Sequence, residues 1–340
     1  MRTDIKTLGE FGLIDRLTQD LTLKNSSSVK GVGDDAAVIR NGSLLTVVST
    51  DFLVEGIHFD LAYTPLKHLG YKAVAVNVSD IAAMNAVCKQ ITVSMALSNR
   101  FSVEAIEELY EGIKAACKHY NIDLVGGDTT SSPRGLYLNL TAIGQVAEDK
   151  VVYRNGAKSG DIICVSGHLG GAYLGLQILE REKQVYLANP DMQPALTEHE
   201  YVVGAFLKPE ARVDMVRNLA AAGIKPTAMM DISDGLASEL FHICKQSNCG
   251  AQIEEANIPL HPDAYELAAM TFRIDPSMCA LNGGEDYELL FTVRPEDLDI
   301  VRTLPSTYII GEITPKADGI TMLSKGGNIY PLEAQGWVHF

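Results

Sequence analysis

Carboxylates in this chain fall at the ends of strongly apolar runs, where most folds have no use for them. Asp34 and Asp35 sit between glycines and an apolar run in "GVGDDAAVI"; Asp51 ends "LLTVVSTD"; Asp80 lies within "AVAVNVSDIAAM". Asp128 follows two glycines in "IDLVGGDTT", Asp231 and Asp234 occupy "MMDISDG", and Glu285 and Asp286 open "EDYELLF". An ionised carboxylate taken out of water without a partner is so costly that it protonates instead. Few lysines or arginines stand beside these acids, so distant basic residues or metal ions must supply the opposing charge. Oxygen donors without a His/Cys cluster at zinc spacing favour Mg2+ over zinc or iron.

A length of 340 residues fits about two domains of roughly 150 each. In the first half, strand-like runs ("SLLTVVST", "QITVSMAL", "IDLVGG", "LYLNLTAIGQV") alternate with two helical stretches, one over 66–86 and one opening at Ser102, a good cap. The pattern pauses in "EDKVVYRNGAKSGD", which places a boundary near 150, between domains 1–150 and 151–340. The second half offers "DIICVSG", a helix through "GGAYLGLQILEREK", a loop with Pro190 and Pro194, a helix from about Pro209, and a helix opening at "SDGLASELFHICKQ". Strands "DYELLFTV" and "TYIIGEI" follow. The expected class is α/β (α+β), with two mixed domains facing one another.

With 28 basic against 43 acidic residues, the formal charge of −15 argues against nucleic acid or an anionic membrane surface as partner. No signal-peptide pattern opens the chain and no uncharged apolar run reaches membrane-spanning length, so the expected location is cytoplasmic. Six cysteines without CxxC spacing read as reduced core thiols. No GxxxxGK[ST] occurs, and "GHLGGAYLG" lacks the dinucleotide spacing. "GGDTTSSP" is either a plain turn ending a strand or a backbone that approaches phosphate oxygens while its Asp holds their metal. In "DISDG", Asp231 and Asp234 either converge on one site or serve the helix cap together with Ser233.

Taken in order, "GVGDDAAVI", "STDFLVEGIHFD", "NVSDIAAM", "GGDTT", "RNGAKSGD", "DISDGL", "NGGEDYELLF" and the terminal "GWVHF" resemble the thiamine-monophosphate kinase family of the aminoimidazole-ribonucleotide-synthetase-like superfamily. The resemblance runs from Gly31 to Phe340; Asn85, Asn155 and Ser159 depart from the family's usual Gly, Ser and Pro. It implies transfer of the γ-phosphoryl group of ATP to thiamine monophosphate, several Mg2+ ions, and a homodimer formed by pairing N-terminal sheets into a shared barrel. By the same resemblance Asp34, Asp51, Asp80, Asp128, Asp231 and Asp234 ligate Mg2+, with Ser49 and Thr50 adding oxygen, and Asp80, Asp128 and Asp231 are central to catalysis. Tyr110, Gly127, Asp128, Arg154 and Ser233 lie against ATP, and His58, Glu285 and Trp337 against the acceptor. Bland readings stand beside these: Tyr110 belongs to an apolar helical stripe, Arg154 to a polar linker, and Trp337 suits a tail anchor. The alternatives are another ATP-dependent enzyme of the superfamily, such as aminoimidazole ribonucleotide synthetase, or a non-catalytic ATP and metal sensor.

Overall fold

The structure, a computed structural model, describes residues 5–334. The first half forms a sheet of six strands: β1 (Ser28–Lys30), β2 (Ala37–Asn41), β3 (Leu44–Val54), β4 (Val87–Leu97), β5 (Asp123–Ser131) and β6 (Leu136–Ala147). Their order is β1-β2-β3-β6-β4-β5, with β4 and β5 parallel and the other neighbours antiparallel. Along β6 the side chains alternate strictly, so Leu136, Leu138, Leu140 and Ala142 are buried while their neighbours are half-exposed. Their buried face packs in one core with residues of the helices α2 (Leu66–Ala83) and α3 (Val103–Tyr120). A shorter helix, α1 (Gly9–Thr18), precedes β1.

Helices α2 and α3 cross closely because each offers a glycine at the contact. A Cβ on Gly70 would meet the Leu109 carbonyl, and one on Gly112 would meet that of Lys67. Ser102 caps α3 as expected, accepting the Ala105 amide at 3.3 Å. Helix α2 stops at Ala83, short of the expected 86, because Asn85 turns left-handed at φ 55°. Asn tolerates that conformation nearly as well as the family's usual glycine.

In the second half, β7 (Ile162–Ser166), β8 (Ala228–Asp231), β9 (Gly250–Glu254), β10 (Leu289–Val293), β11 (Thr307–Thr314), β12 (Ile320–Leu323) and β13 (Ile329–Pro331) form a sheet in the order β13-β12-β9-β11-β7-β10-β8. It carries α4 (Gly171–Ala188), α5 (Glu200–Leu207), α6 (Val213–Ala221) and α7 (Leu236–Ser247). The expected helix from Pro209 begins only at Val213. Before it, Glu210 accepts the Tyr71 and Tyr120 hydroxyls at 2.6 and 2.9 Å, tying this segment to α2 and α3. Helix α5 falls in sequence read as continuing loop. Strand β10 begins three residues later than "DYELLFTV" implied, because Glu285 and Tyr287 take positive φ.

The halves share packing. Ala82 and Ala83 at the end of α2 join Met215, Met229 and Phe291 in one buried cluster. Helix α2 is therefore buried on nearly every side, with Leu69 through Ser79 all below the surface, and Asp80 on its last turn opens toward the other half.

Candidate active site

Four carboxylates arrive at one place from four elements. Asp35 comes from the turn before β2, Asp51 from β3, Asp80 from α2, and Asp231 from the end of β8. One carboxylate oxygen from each of Asp35, Asp80 and Asp231 lies within 4.8 Å of the others. Hydroxyls orient two of them: Ser49 donates to Asp80, and Ser79 donates to Asp231 at 2.6 Å. Arg154 forks onto Asp35 Oδ1 through Nε (3.1 Å) and Nη2 (2.7 Å).

The electrostatics of this cluster are unfavourable as it stands. Burial pushes the Asp35 carboxyl up to about 7 despite the pull of Arg154. Burial, reinforced by Glu285, raises Asp51 to about 6; burial, partly offset by Ser79, raises Asp231 to about 6. Asp80 is driven well above the carboxylate range by burial and by Asp51, Asp231 and Asp35 together. Asp35 Oδ2 is buried and has no protein hydrogen-bond donor among the described residues. Three carboxylates this close, with one buried Asp35 oxygen left without a donor, are a set that could hold a hard divalent cation.

Asp35, Asp51 and Asp80 line a cavity of about 1120 Å3, bordered also by Ser49, His58, Arg154, Ser233, Asp234 and Glu285. Ligand pockets run from roughly 300 to 1,000 Å3, so this one is at the top of that range. Among these, His58 Nδ1 accepts the Val54 amide at 3.0 Å, which fixes the ring.

Several expectations are corrected. Asp34, expected as a metal ligand, is buried but engaged outside the cluster: its Oδ1 accepts the Arg154 backbone N–H at 3.0 Å and its Oδ2 meets Lys30 at 3.2 Å. Asp35, which sequence reasoning passed over, stands in its place. The Thr50 hydroxyl donates to the Leu140 carbonyl at 2.9 Å, on the strand face opposite Ser49 and Asp51, as a period of two requires. Ser233 and Asp234 do not cap α7, whose first turn carries no side-chain cap. Their amides instead donate to Glu239 Oε1 at 3.1 and 2.8 Å. Tyr110 packs against the N-terminal core and does not border the cavity. Gly127 and Asp128 lie on β5, exposed, with two strands between β5 and β3. At about 4.8 Å per strand, that sets Asp128 roughly 14 Å from Asp51. Trp337 lies outside the described residues.

The two halves of the fold correspond to the two domains of the AIR synthase related proteins. The chain matches their N-terminal domain over residues 33–146 and their C-terminal domain over 158–323. Curated relatives narrow this further. Thiamine-monophosphate kinase of Bacillus subtilis (strain 168) is 35% identical over 340 residues, covering 98% of this chain and 100% of the relative. That of Escherichia coli (strain K12) is 34% identical, covering 98% of each. The solved structure of AaThiL complexed with AMPPCP and TMP superposes with a TM-score of 0.83 at 31% identity, covering 100% of both chains. This chain belongs to the thiamine-monophosphate kinase family.

Proposed function

We propose that this chain phosphorylates thiamine monophosphate with ATP, giving thiamine diphosphate, and that the cleft of Asp35, Asp51, Asp80 and Asp231 is where the transfer occurs. The convergence of Asp35, Asp80 and Asp231 carries the reading, and the relative bound to an ATP analogue and TMP supports it.

A phosphate monoester has a second pKa of about 6, so the acceptor is already largely a dianion at neutral pH. No strong general base is required. The obstacle is repulsion between two polyanions, and phosphoryl transfer is catalysed mainly by alignment and charge neutralisation. In the transfer, an acceptor phosphate oxygen bonds to the γ-phosphorus while the bond to the ADP oxygen breaks in line. Magnesium ions bound at the cluster would supply the neutralising charge and polarise the transferred group. Asp35, Asp51, Asp80 and Asp231 hold them, with Asp234 at the cavity edge; Arg154 and Ser79 keep Asp35 and Asp231 in register. Ser233 faces ATP. His58 and Glu285 line the acceptor end, and Trp337 keeps the stacking role implied by the resemblance.

In the same reading the chain works as a homodimer. Strand β5 is an edge strand, exposed along its whole length, with Val125 56% exposed and Phe52 of β3 54% exposed. Such edges are covered in a working protein. A second copy paired there brings Gly127, Asp128 and Tyr110 to a cleft they do not reach within their own chain. Residues 1–150 then bind ATP and metal and dimerise, and residues 151–340 complete the cleft. The location is cytoplasmic; all six cysteines are free.

Incubation with ATP, Mg2+ and thiamine monophosphate should yield thiamine diphosphate and ADP in equal amounts. Clear ATP binding with no diphosphate formed would favour a sensor, and ADP released without thiamine diphosphate would favour another acceptor.

A further inference from the structure

Lys72 is the largest fully buried side chain among the described residues, 2% exposed in the middle of α2. Buried lysines are rare, because the ammonium loses its hydration. Here Nζ donates to the Phe206 carbonyl at 3.2 Å, sits 4.0 Å from the centre of the Phe206 ring, and ion-pairs with Glu285 Oε2. Packing alone does not explain the charge, since an apolar side chain of similar volume would fill the same space beside Phe206 without desolvating anything.

Its partner is held with unusual care. Glu285 takes φ 63°, a conformation disfavoured for residues with a side chain, and Tyr287 follows at φ 51°. The Glu285 amide donates to the Ser233 carbonyl at 2.7 Å and the Tyr287 amide to that of Ile232 at 2.9 Å, pinning this loop to the end of β8. The Tyr287 hydroxyl donates to Glu285 Oε1 at 3.1 Å. One carboxylate oxygen thus accepts the Tyr287 hydroxyl, the other has the Lys72 ammonium as ion-pair partner and no hydrogen-bond donor, and the group borders the cavity.

We infer that Lys72 is a positioning residue for acceptor specificity: it anchors Glu285 so that the carboxylate presents a fixed hydrogen-bond acceptor to the amino group of the substrate's pyrimidine. This rests on the proposed placement of Glu285 at the acceptor. A charged acceptor atom locked in place discriminates strongly against an analogue lacking the donor, because the site's buried polar group is then left unpaired.

The test compares thiamine monophosphate with its analogue carrying hydrogen in place of the pyrimidine amino group, in the wild type, Lys72→Met, Glu285→Gln and the double variant. In Lys72→Met, the preference in kcat/KM for the amino-bearing acceptor should fall about tenfold, with KM for ATP within twofold. The double variant should match Glu285→Gln alone. If Glu285→Gln keeps the full preference, the placement of Glu285 at the acceptor is wrong, and the inference falls with it. If Glu285→Gln collapses the preference but Lys72→Met does not, or the two effects simply multiply, only the role of Lys72 is refuted. A Lys72→Met chain that does not fold would make the lysine structural and overturn the inference.

Discussion

Ser79 on α2 donates a 2.6 Å hydrogen bond to Asp231 at the end of β8, a contact between residues 152 positions apart. One residue further along the helix, Asp80 faces the same cluster. Beside the packing of Ala82 and Ala83, this bond ties the last turns of α2 to the second sheet. Ser79→Ala removes the donor without touching the carboxylates. Loss of such supporting partners weakens a metal site by about 10–100-fold. Magnesium titrations of turnover should show the concentration for half-maximal rate rising by about that factor, with KM for thiamine monophosphate much less affected.

The neighbouring aspartates Asp34 and Asp35 should differ sharply. Asp35→Asn takes away one of the clustered carboxylates and is expected to lower kcat by about 10²–10³ or more. Asp34→Asn alters contacts to the Arg154 amide and Lys30 and removes a charge felt by Asp35 and Arg154, but leaves the cluster carboxylates in place and should retain turnover within about tenfold. Steady-state assays that ranked the two the other way would return the ligand role to Asp34.

Like charges gathered for function are a burden on folding. Asp80 feels Asp51, Asp231 and Asp35 together, so Asp80→Asn should melt higher than the wild type once both are stripped of metal with a chelator. The same variant should be inactive and gain little thermal stability from added magnesium, whereas the wild type should gain according to its occupancy. Calorimetric scans with and without magnesium check both halves of this expectation.

His242 supplies a pH signature. Burial, helped by Arg154 and Lys245, lowers its imidazole to about 4, and its ring meets Phe11 of α1 edge-on at 4.4 Å. A depressed histidine is neutral in the folded chain while the unfolded chain still binds the proton near 6.5. Its contribution is therefore complete above pH 6.5 and is lost as pH falls toward 4, by at most about 3 kcal/mol. Denaturant unfolding of wild type and His242→Phe should diverge over that window. Parallel curves would mean that the ring is solvated in the native state.

The acidic chemistry was legible before any fold was known, because uncompensated carboxylates at the ends of apolar runs have few physical explanations. Helices α2, α3, α4 and α7 were legible too, through their apolar spacing and, for α3, the Ser102 cap. Hidden from inspection were the short α5 and the late starts of α6 and β10, where tertiary contacts of Glu210 and the positive φ of Glu285 and Tyr287 override local pattern. Lys72 did leave a trace, as the one basic residue in "YKAVAVNVSD", but nothing near it in sequence reveals Glu285, 213 positions away.

What the sequence determined by itself is residue type and period: which segments bury a face, and that several buried-looking acids require cations. Which acids meet was decided by tertiary structure alone. Asp34 and Asp35 are chemically identical neighbours with buried carboxylates, and only the turn before β2, clamped by Arg154, brings one to Asp80 and Asp231 and ties the other to Lys30. Asp128 carries the same motif logic as Asp51, yet two intervening strands hold it away. Proximity in space is a property of sheet order and helix docking, and local sequence does not encode it.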